Sequence, residues 1–128
     1  MVLKKAGLSE VMDEMYTIGL LLDFYGQLIT KRQYEILDMH YNGDYSFGEI
    51  AEELNISRQG VYDNIKRGKV ALYDMEEKLG LVSRFGRQKE KASGIMRLLE
   101  DIDNSRLSDR DQKSLDLAKQ EIRSIAED

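Results

Sequence analysis

The sequence of 128 residues contains no cysteine and no proline, and His40 is its single histidine. Without cysteine, the chain cannot form a disulfide, a thiolate nucleophile or a zinc–thiolate site. One histidine is too few for a metal site built on two histidines, and a position near the end of a predicted helix favours a capping or surface role for it. We therefore expect a protein that is not an enzyme and that needs neither a metal nor a cofactor.

Long apolar runs are also missing. The longest, residues 18–22, is far shorter than the roughly 20 residues that a membrane-spanning helix needs. The first residues, MVLKKAGLSEVMDEM, contain two lysines but no apolar segment of the kind found in signal peptides. We therefore expect a soluble cytoplasmic protein without membrane insertion.

The composition favours helices. Hydrophobic residues make up 41% of the chain, which is enough for a core, and charged residues make up 34%. Residues with high helix propensity dominate, proline is missing, and residues that favour strands never alternate over a useful length. The sequence therefore predicts an all-α fold.

Basic residues are concentrated in two short segments of a chain whose net charge is −5. Residues 57–70 contain four basic residues against one acid, and residues 84–91 contain four against one, so each has a local charge of +3. The overall acidity argues against a protein that coats nucleic acid without regard to sequence. The two basic segments are still compatible with local contacts to nucleic acid.

Capping residues delimit most of the predicted helices. Thr30 caps a helix over 31–41, Ser46 with Glu49 forms a capping box, and Ser57 caps a long helix that ends before Gly80. The remaining predicted helices are an N-terminal one that ends near Tyr25 and two at the C-terminus, over 84–101 and 109–126. We expect a core of residues 1–82 and an extension of residues 83–128.

The stretch IAEELNISRQGVYDNIKRG, residues 50–68, has the spacing of a helix-turn-helix unit. Ala51 supplies the small residue where the two helices cross, and Asn55, four residues later, tolerates the left-handed conformation of the turn. Apolar residues at fixed offsets lock the two helices together: Ile50, Leu54, Ile56, Val61 and Ile65. Several independent requirements are met in register, so we predict this unit.

The second helix of this unit has two faces. Val61, Ile65, Gly68 and Leu72 follow one another at helical spacing and are predicted to point inward. The opposite face carries Gln59, Asp63, Lys66 and Arg67, with Tyr62 at its edge. Glutamine can read adenine, and arginine and lysine can read guanine or bind phosphate. A polar outward face is also expected of any amphipathic helix, so a purely solvated surface is the alternative interpretation.

Three segments, LLLDFYGQLIT, FGEIAEELNISRQGVYDNIKR and EEKLGL, resemble the YlxM family, UPF0122. The resemblance covers roughly residues 15–85 and fades after that. It implies a fold similar to region 4 of sigma factors, here with an additional N-terminal helix and a C-terminal helical pair. It also implies a DNA-binding regulatory protein connected with the signal recognition particle pathway.

The resemblance implies which residues form the recognition helix. They are Ser57, Arg58, Gln59, Tyr62, Asp63, Asn64, Lys66 and Arg67. One departure is Gly60, where alanine would be expected. Glycine within a helix costs about 1 kcal/mol relative to alanine, which leaves the fold intact but makes this helix less rigid.

The sequence is compatible with two functions from different classes. The first is a DNA-binding transcriptional regulator, favoured by Gln59, Lys66 and Arg67. The second is an interaction module that docks on the protein or the RNA of the signal recognition particle, favoured by Asp63 and by the overall acidity.

We also expect a homodimer and a packed C-terminal extension. The N-terminal helix is apolar on two sides, and residues 20–22 with Phe24 and Tyr25 suggest a dimer interface. The apolar residues of the extension should be buried against the core or the dimer partner. These residues are Leu98, Leu99, Leu115, Ile122 and Ile125.

Overall fold

The computed structural model describes residues 8–127, and the side chains from residue 13 onward. It contains six α-helices and no strand among these residues: α1 Leu8–Tyr25, α2 Lys31–Leu37, α3 Phe47–Leu54, α4 Arg58–Leu79, α5 Leu81–Glu100 and α6 Asp109–Glu127. A 3₁₀ turn, Gly26–Leu28, follows α1, and a π-helical turn, Asp38–Asn42, follows α2. The predicted all-α fold is confirmed.

The predicted caps begin the helices as expected. The Thr30 hydroxyl accepts from the Gln33 N–H at 3.1 Å, and Ser46 and Glu49 form both hydrogen bonds of the predicted capping box. The Ser57 hydroxyl accepts from the Gly60 N–H at 2.9 Å. Each bond satisfies a backbone donor that the first turn of a helix leaves without an intrahelical partner.

Two predicted helices differ in detail from the structure: the one over 31–41 has the expected length but changes form, and the one from residue 84 begins earlier. The helix predicted over 31–41 keeps its α form only to Leu37, because the Gly43 N–H donates to the Asp38 carbonyl five residues back and widens the last turn. The helix predicted from residue 84 begins at Leu81, since the hydroxyl of Tyr25 and the carboxylate of Glu76 accept from the backbone N–H groups of Leu81 and Val82.

The described residues divide after Val82 into two compact units. In the first unit, α4 contacts α1, α2 and α3, and the core lies between them. Its buried members are Ile18, Leu21, Leu22, Tyr25, Ile36, Leu37, Ile50, Ala51, Val61, Ile65 and Leu72. Gly68 is also buried; a methyl group there would lie 2.6 Å from Leu37 Cδ1, so a side chain of α2, and not a second backbone, takes this space.

This core corrects the reasoning about α1. Leu21, Leu22 and Tyr25 are buried inside the first unit, and Leu20 and Phe24 are half-buried, so these residues leave little apolar surface for a dimer partner. The interface predicted for this helix therefore loses its basis.

The second unit contains the remainder of α5 and all of α6. Leu115 is buried as expected, and Leu99 and Ile122 are half-buried. Leu98 and Ile125 are exposed, so their burial against the core or a dimer partner stays a prediction. Among the described residues, no helix is long and apolar enough to cross a membrane.

Candidate nucleic-acid interface

The turn between α3 and α4 has the geometry that the sequence predicts. Asn55 adopts the left-handed conformation, with φ 56° and ψ 48°, and the Ile56 N–H donates to the Ala51 carbonyl at 3.0 Å. Ser57 then caps α4. The two helices therefore form a closed helix-turn-helix unit in which Ser57 performs a structural task at the start of α4.

The outward face of α4 carries the predicted polar residues. Gln59, Lys66 and Arg67 are exposed, and Tyr62 is 47% exposed. On the opposite side the four residues predicted to point inward are buried: Val61, Ile65, Gly68 and Leu72. The packing of α4 on the core thus presents its polar first half to solvent.

Hydrogen bonds within α4 modify this face. Gln59 Nε2 donates to Asp63 Oδ1 at 3.0 Å, and Arg67 Nε donates to the Asp63 carbonyl at 3.4 Å. Asn64 Nδ2 donates to the Gly60 carbonyl at 2.8 Å, so Asn64 is half-buried and turned towards its own helix. Among the described residues, none forms a hydrogen bond or an ion pair with the Lys66 side chain.

Arg58 lies where α4 and α3 begin. A methyl group added to Gly48, in the first turn of α3, would meet the guanidinium at 2.9 Å from Nη2. The Arg58 side chain therefore covers the backbone of α3, and the missing side chain at Gly48 allows this close approach. Its positive charge is added to those of Lys66 and Arg67 around the first half of α4.

Lys69 contributes less charge to this surface than the sequence indicates. Its Nζ donates to Glu14 Oε1 at 2.8 Å, and the Tyr41 hydroxyl donates to the same oxygen at 2.9 Å. The hydrogen bond from Lys69 lowers the pKa of Glu14, whereas burial, followed by the hydrogen bond to Glu14, raises the pKa of Tyr41. Sequence reasoning missed this cluster because Glu14 and Lys69 are 55 residues apart.

Sequence reasoning also missed a groove beside the outward face of α4. It has a volume of about 550 Å³ and runs along α4 beside Phe47, whose ring centroid lies 6.4 Å from that of Tyr62. Val70 and Tyr73 line it and are both exposed. The signal in the sequence was the spacing of Tyr62, Lys66, Val70, Tyr73 and Glu77, which places all five on one side of a helix.

A metal site and a chemical role for His40 have little support. No group of three or more His, Asp and Glu side chains within the described part of the chain could hold a metal ion. His40 Nδ1 lies 2.7 Å from the Tyr45 carbonyl, and its ring contacts Tyr41 and Phe47. This residue therefore packs the end of the π-helical turn.

Comparison with known proteins identifies the family. The family model described as "Putative helix-turn-helix protein, YlxM / p13 like" matches residues 12–120. The chain belongs to the UPF0122 family. A UPF0122 protein of Acetivibrio thermocellus is 59% identical over 116 residues, covering 91% of this chain and 99% of the relative.

More distant UPF0122 relatives align over similar spans. A protein of Desulforamulus reducens is 39% identical over 108 residues, covering 84% of this chain and 92% of its own. A protein of Halalkalibacterium halodurans is 43% identical over 91 residues, covering 71% of this chain and 80% of the relative. The UPF0122 match continues to residue 120, so the expectation that the resemblance fades after about residue 85 was wrong.

Proposed function

We propose that this UPF0122 protein is a cytoplasmic, non-enzymatic regulatory protein that binds double-stranded DNA through the first half of α4. One observation supports this most strongly. Gln59, Tyr62, Lys66 and Arg67 are exposed together on a capped helix whose opposite face is fixed in the core. Such a helix can enter the major groove without disturbing the core, because the residues that would contact DNA do not pack it.

Each exposed side chain has a role in this proposal. Lys66 and Arg67 contact phosphates or guanine, and Gln59 reads adenine through its amide. Tyr62, at the edge of the face, donates its hydroxyl to a phosphate. Ser57, Arg58 and Asn64 support these groups: Ser57 caps α4, Arg58 adds positive charge at its start, and Asn64 bonds within the helix.

Asp63 is the acidic member of this face. A carboxylate repels phosphate, but in the free protein Asp63 accepts a hydrogen bond from Gln59. On DNA, the Gln59 amide would exchange this bond for one to a base, and Asp63 could then accept from the amino group of a cytosine. The pair would therefore contribute to sequence preference more than to affinity.

The test measures binding to DNA selected from a random pool, by fluorescence anisotropy at several salt concentrations. Arg67→Ala should weaken binding by roughly 1–3 kcal/mol and reduce sequence discrimination. Lys66→Ala should lower the slope of log K against log salt concentration by about one unit. Arg32→Ala, which removes an exposed arginine of α2, is the matched control. Enrichment of no DNA sequence, or an equal loss in the control, would contradict the proposal.

A second candidate is an interaction module for the protein or RNA of the signal recognition particle. The groove at Phe47, Tyr62, Val70 and Tyr73 favours it, because exposed aromatic and aliphatic side chains are enriched where proteins contact one another. Both components are therefore added to the same assay. Binding that Val70→Asp abolishes and Arg67→Ala preserves would support this candidate against DNA recognition.

A further inference from the structure

Lys69 lies on the same side of α4 as two residues of the proposed DNA interface. Tyr62, Lys66 and Lys69 follow one another at spacings of four and three residues, which places them on one side of a helix. All three line the groove beside the outward face. The family resemblance does not assign Lys69 to the recognition helix, but its position is that of a further contact to nucleic acid.

The two lysines are close enough to contact the same stretch of DNA backbone. Three residues correspond to a rise of about 4.5 Å along a helix. Lysine has a flexible stem of four carbons and three rotatable donors. When the first half of α4 lies in the major groove, Lys66 and Lys69 can therefore both turn towards the phosphates on their side of the helix.

In the free protein an acid of α1 holds Lys69. Its Nζ donates to Glu14 Oε1 at 2.8 Å and lies 5.9 Å from the centroid of the Tyr41 ring. The side chains of Lys69 and Glu14 are 28% and 27% exposed, so water and ions reach the pair. Among the described residues, no ion pair involves Lys66. Lys66 is thus ready to contact a phosphate, whereas Lys69 must first leave Glu14.

Glu14 keeps a partner when Lys69 leaves. The Tyr41 hydroxyl donates to the same carboxylate oxygen at 2.9 Å. It keeps its proton at neutral pH, because burial, followed by this hydrogen bond, raises the pKa of Tyr41. An ion pair as accessible as this one contributes little free energy, so a phosphate can displace the carboxylate of Glu14 from Lys69.

We propose that Lys69 is a further phosphate-binding residue of the DNA interface and that Glu14 competes with the phosphate for it. On DNA, Lys69 Nζ exchanges the carboxylate for a phosphate oxygen, and Glu14 keeps the hydrogen bond from Tyr41. The acid on α1 thereby lowers the affinity of α4 for DNA of any sequence, because phosphates carry no sequence information. This competition presupposes DNA binding through α4 and so rests on the proposed function.

The experiment is a double-mutant cycle, measured by fluorescence anisotropy on DNA selected from a random pool. Glu14→Gln removes the charge that holds Lys69 but keeps an acceptor for the Tyr41 hydroxyl. It should raise the affinity for DNA roughly fivefold, the upper end of what an exposed ion pair contributes. Lys69→Met removes the ammonium group but keeps the apolar stem. It should weaken binding by a larger factor when combined with Glu14→Gln than in the natural chain.

Glu53→Gln is the control for the loss of one negative charge. Glu53 is an exposed residue of α3, and no ion pair of the described chain involves it. Its substitution should raise the affinity by a smaller factor than Glu14→Gln does, and by the same factor with and without Lys69→Met. Helical circular dichroism verifies the fold of each variant, and Lys69→Gln replaces Lys69→Met if the latter does not fold.

Two results would overturn the proposal and leave DNA binding intact. One is an affinity that Glu14→Gln does not raise above that of the Glu53→Gln control. The other is an equal gain from Glu14→Gln with and without Lys69→Met, which would show a general effect of charge in place of competition for Lys69. If neither the natural chain nor Glu14→Gln binds any DNA, the proposed function fails, and the competition fails with it.

Discussion

The two compact units of this chain are both helical, but they bury apolar residues to very different extents. In the first, Ile18, Ile36 and Leu72, from three different helices, have no exposed surface. In the second, of the residues that the structure describes, only Ala92 and Leu115 are buried. The comparison shows that helices alone do not make a core: the helices of the first unit bury large apolar side chains against one another, whereas the second unit buries two residues and leaves its other apolar side chains half-buried or exposed.

The largest effect should come from emptying the core of the first unit. Leu72→Ala removes a side chain of α4 that is fully buried, so we expect a loss of about 2–5 kcal/mol in the free energy of unfolding. Leu98→Ala, at a protein concentration low enough to prevent association, should change it by less than about 0.5 kcal/mol. Urea unfolding measures both. Similar losses in both variants would show that the second unit packs its surface within one chain.

Alanine substitutions at two glycines, one in each unit, test the same difference in packing with a smaller expected effect. Gly68 is buried under Leu37, and a methyl group would lie 2.6 Å from Leu37 Cδ1, so we expect Gly68→Ala to destabilise the chain by about 1 kcal/mol despite better helix propensity. Gly86 of α5 has no heavy atom within 4 Å of the corresponding position. Gly86→Ala should therefore stabilise the chain by up to about 1 kcal/mol. Thermal unfolding of the two variants checks that their stabilities change in opposite directions. If Gly68→Ala were stabilising, Leu37 would have to move aside without cost.

The smallest effect concerns the polar edge of the first unit. The hydrogen bond from Lys69 lowers the pKa of Glu14 below its ordinary value of 4.5, so the folded state binds this proton less readily than the unfolded state. The stabilisation is fully present above about pH 4.5 and is lost as the pH falls through the lowered pKa. Glu14→Gln should therefore cost less than about 1 kcal/mol at neutral pH and nothing once the carboxyl is protonated.

Unfolding measured from neutral pH down to about pH 3 tests this prediction. Glu53→Gln, which changes an exposed glutamate of α3, is the control. If the natural chain and Glu14→Gln stay apart by the same amount at every pH, the ion pair with Lys69 does not produce the difference.

Much of the fold was predictable because it depends on interactions between near neighbours in the sequence. Ser46 and Glu49 lie three residues apart, as do Ser57 and Gly60, so their capping bonds follow from local chemistry. The conformation of Asn55 follows in the same way from the tolerance of its short side chain for positive φ. The position at which α5 begins was not predictable, because its first donors bond to Tyr25 and Glu76, and Tyr25 is distant in the sequence.

The candidate site was predictable in its composition but not in its details. Helical spacing placed Gln59, Lys66 and Arg67 on one face, which the structure exposes. It could not show that Asn64 bonds to its own helix, because the rotamer of a side chain depends on its surroundings. That these residues bind nucleic acid stays a prediction.

The sequence by itself determined the helical class, the caps of α2, α3 and α4, the left-handed turn and the two faces of α4, because each depends on residues within about one or two helical turns. Only the tertiary structure decided which of the other apolar side chains are buried and which charged side chains are paired. The leucines of α1 could have formed an interface, but packing in the first unit, where α1 contacts α4 and the π-helical turn, buries two of them, and Lys69 is paired with a glutamate 55 residues away. Contacts of this kind depend on which helices meet, and the periodicity of a single helix contains no information about its neighbour.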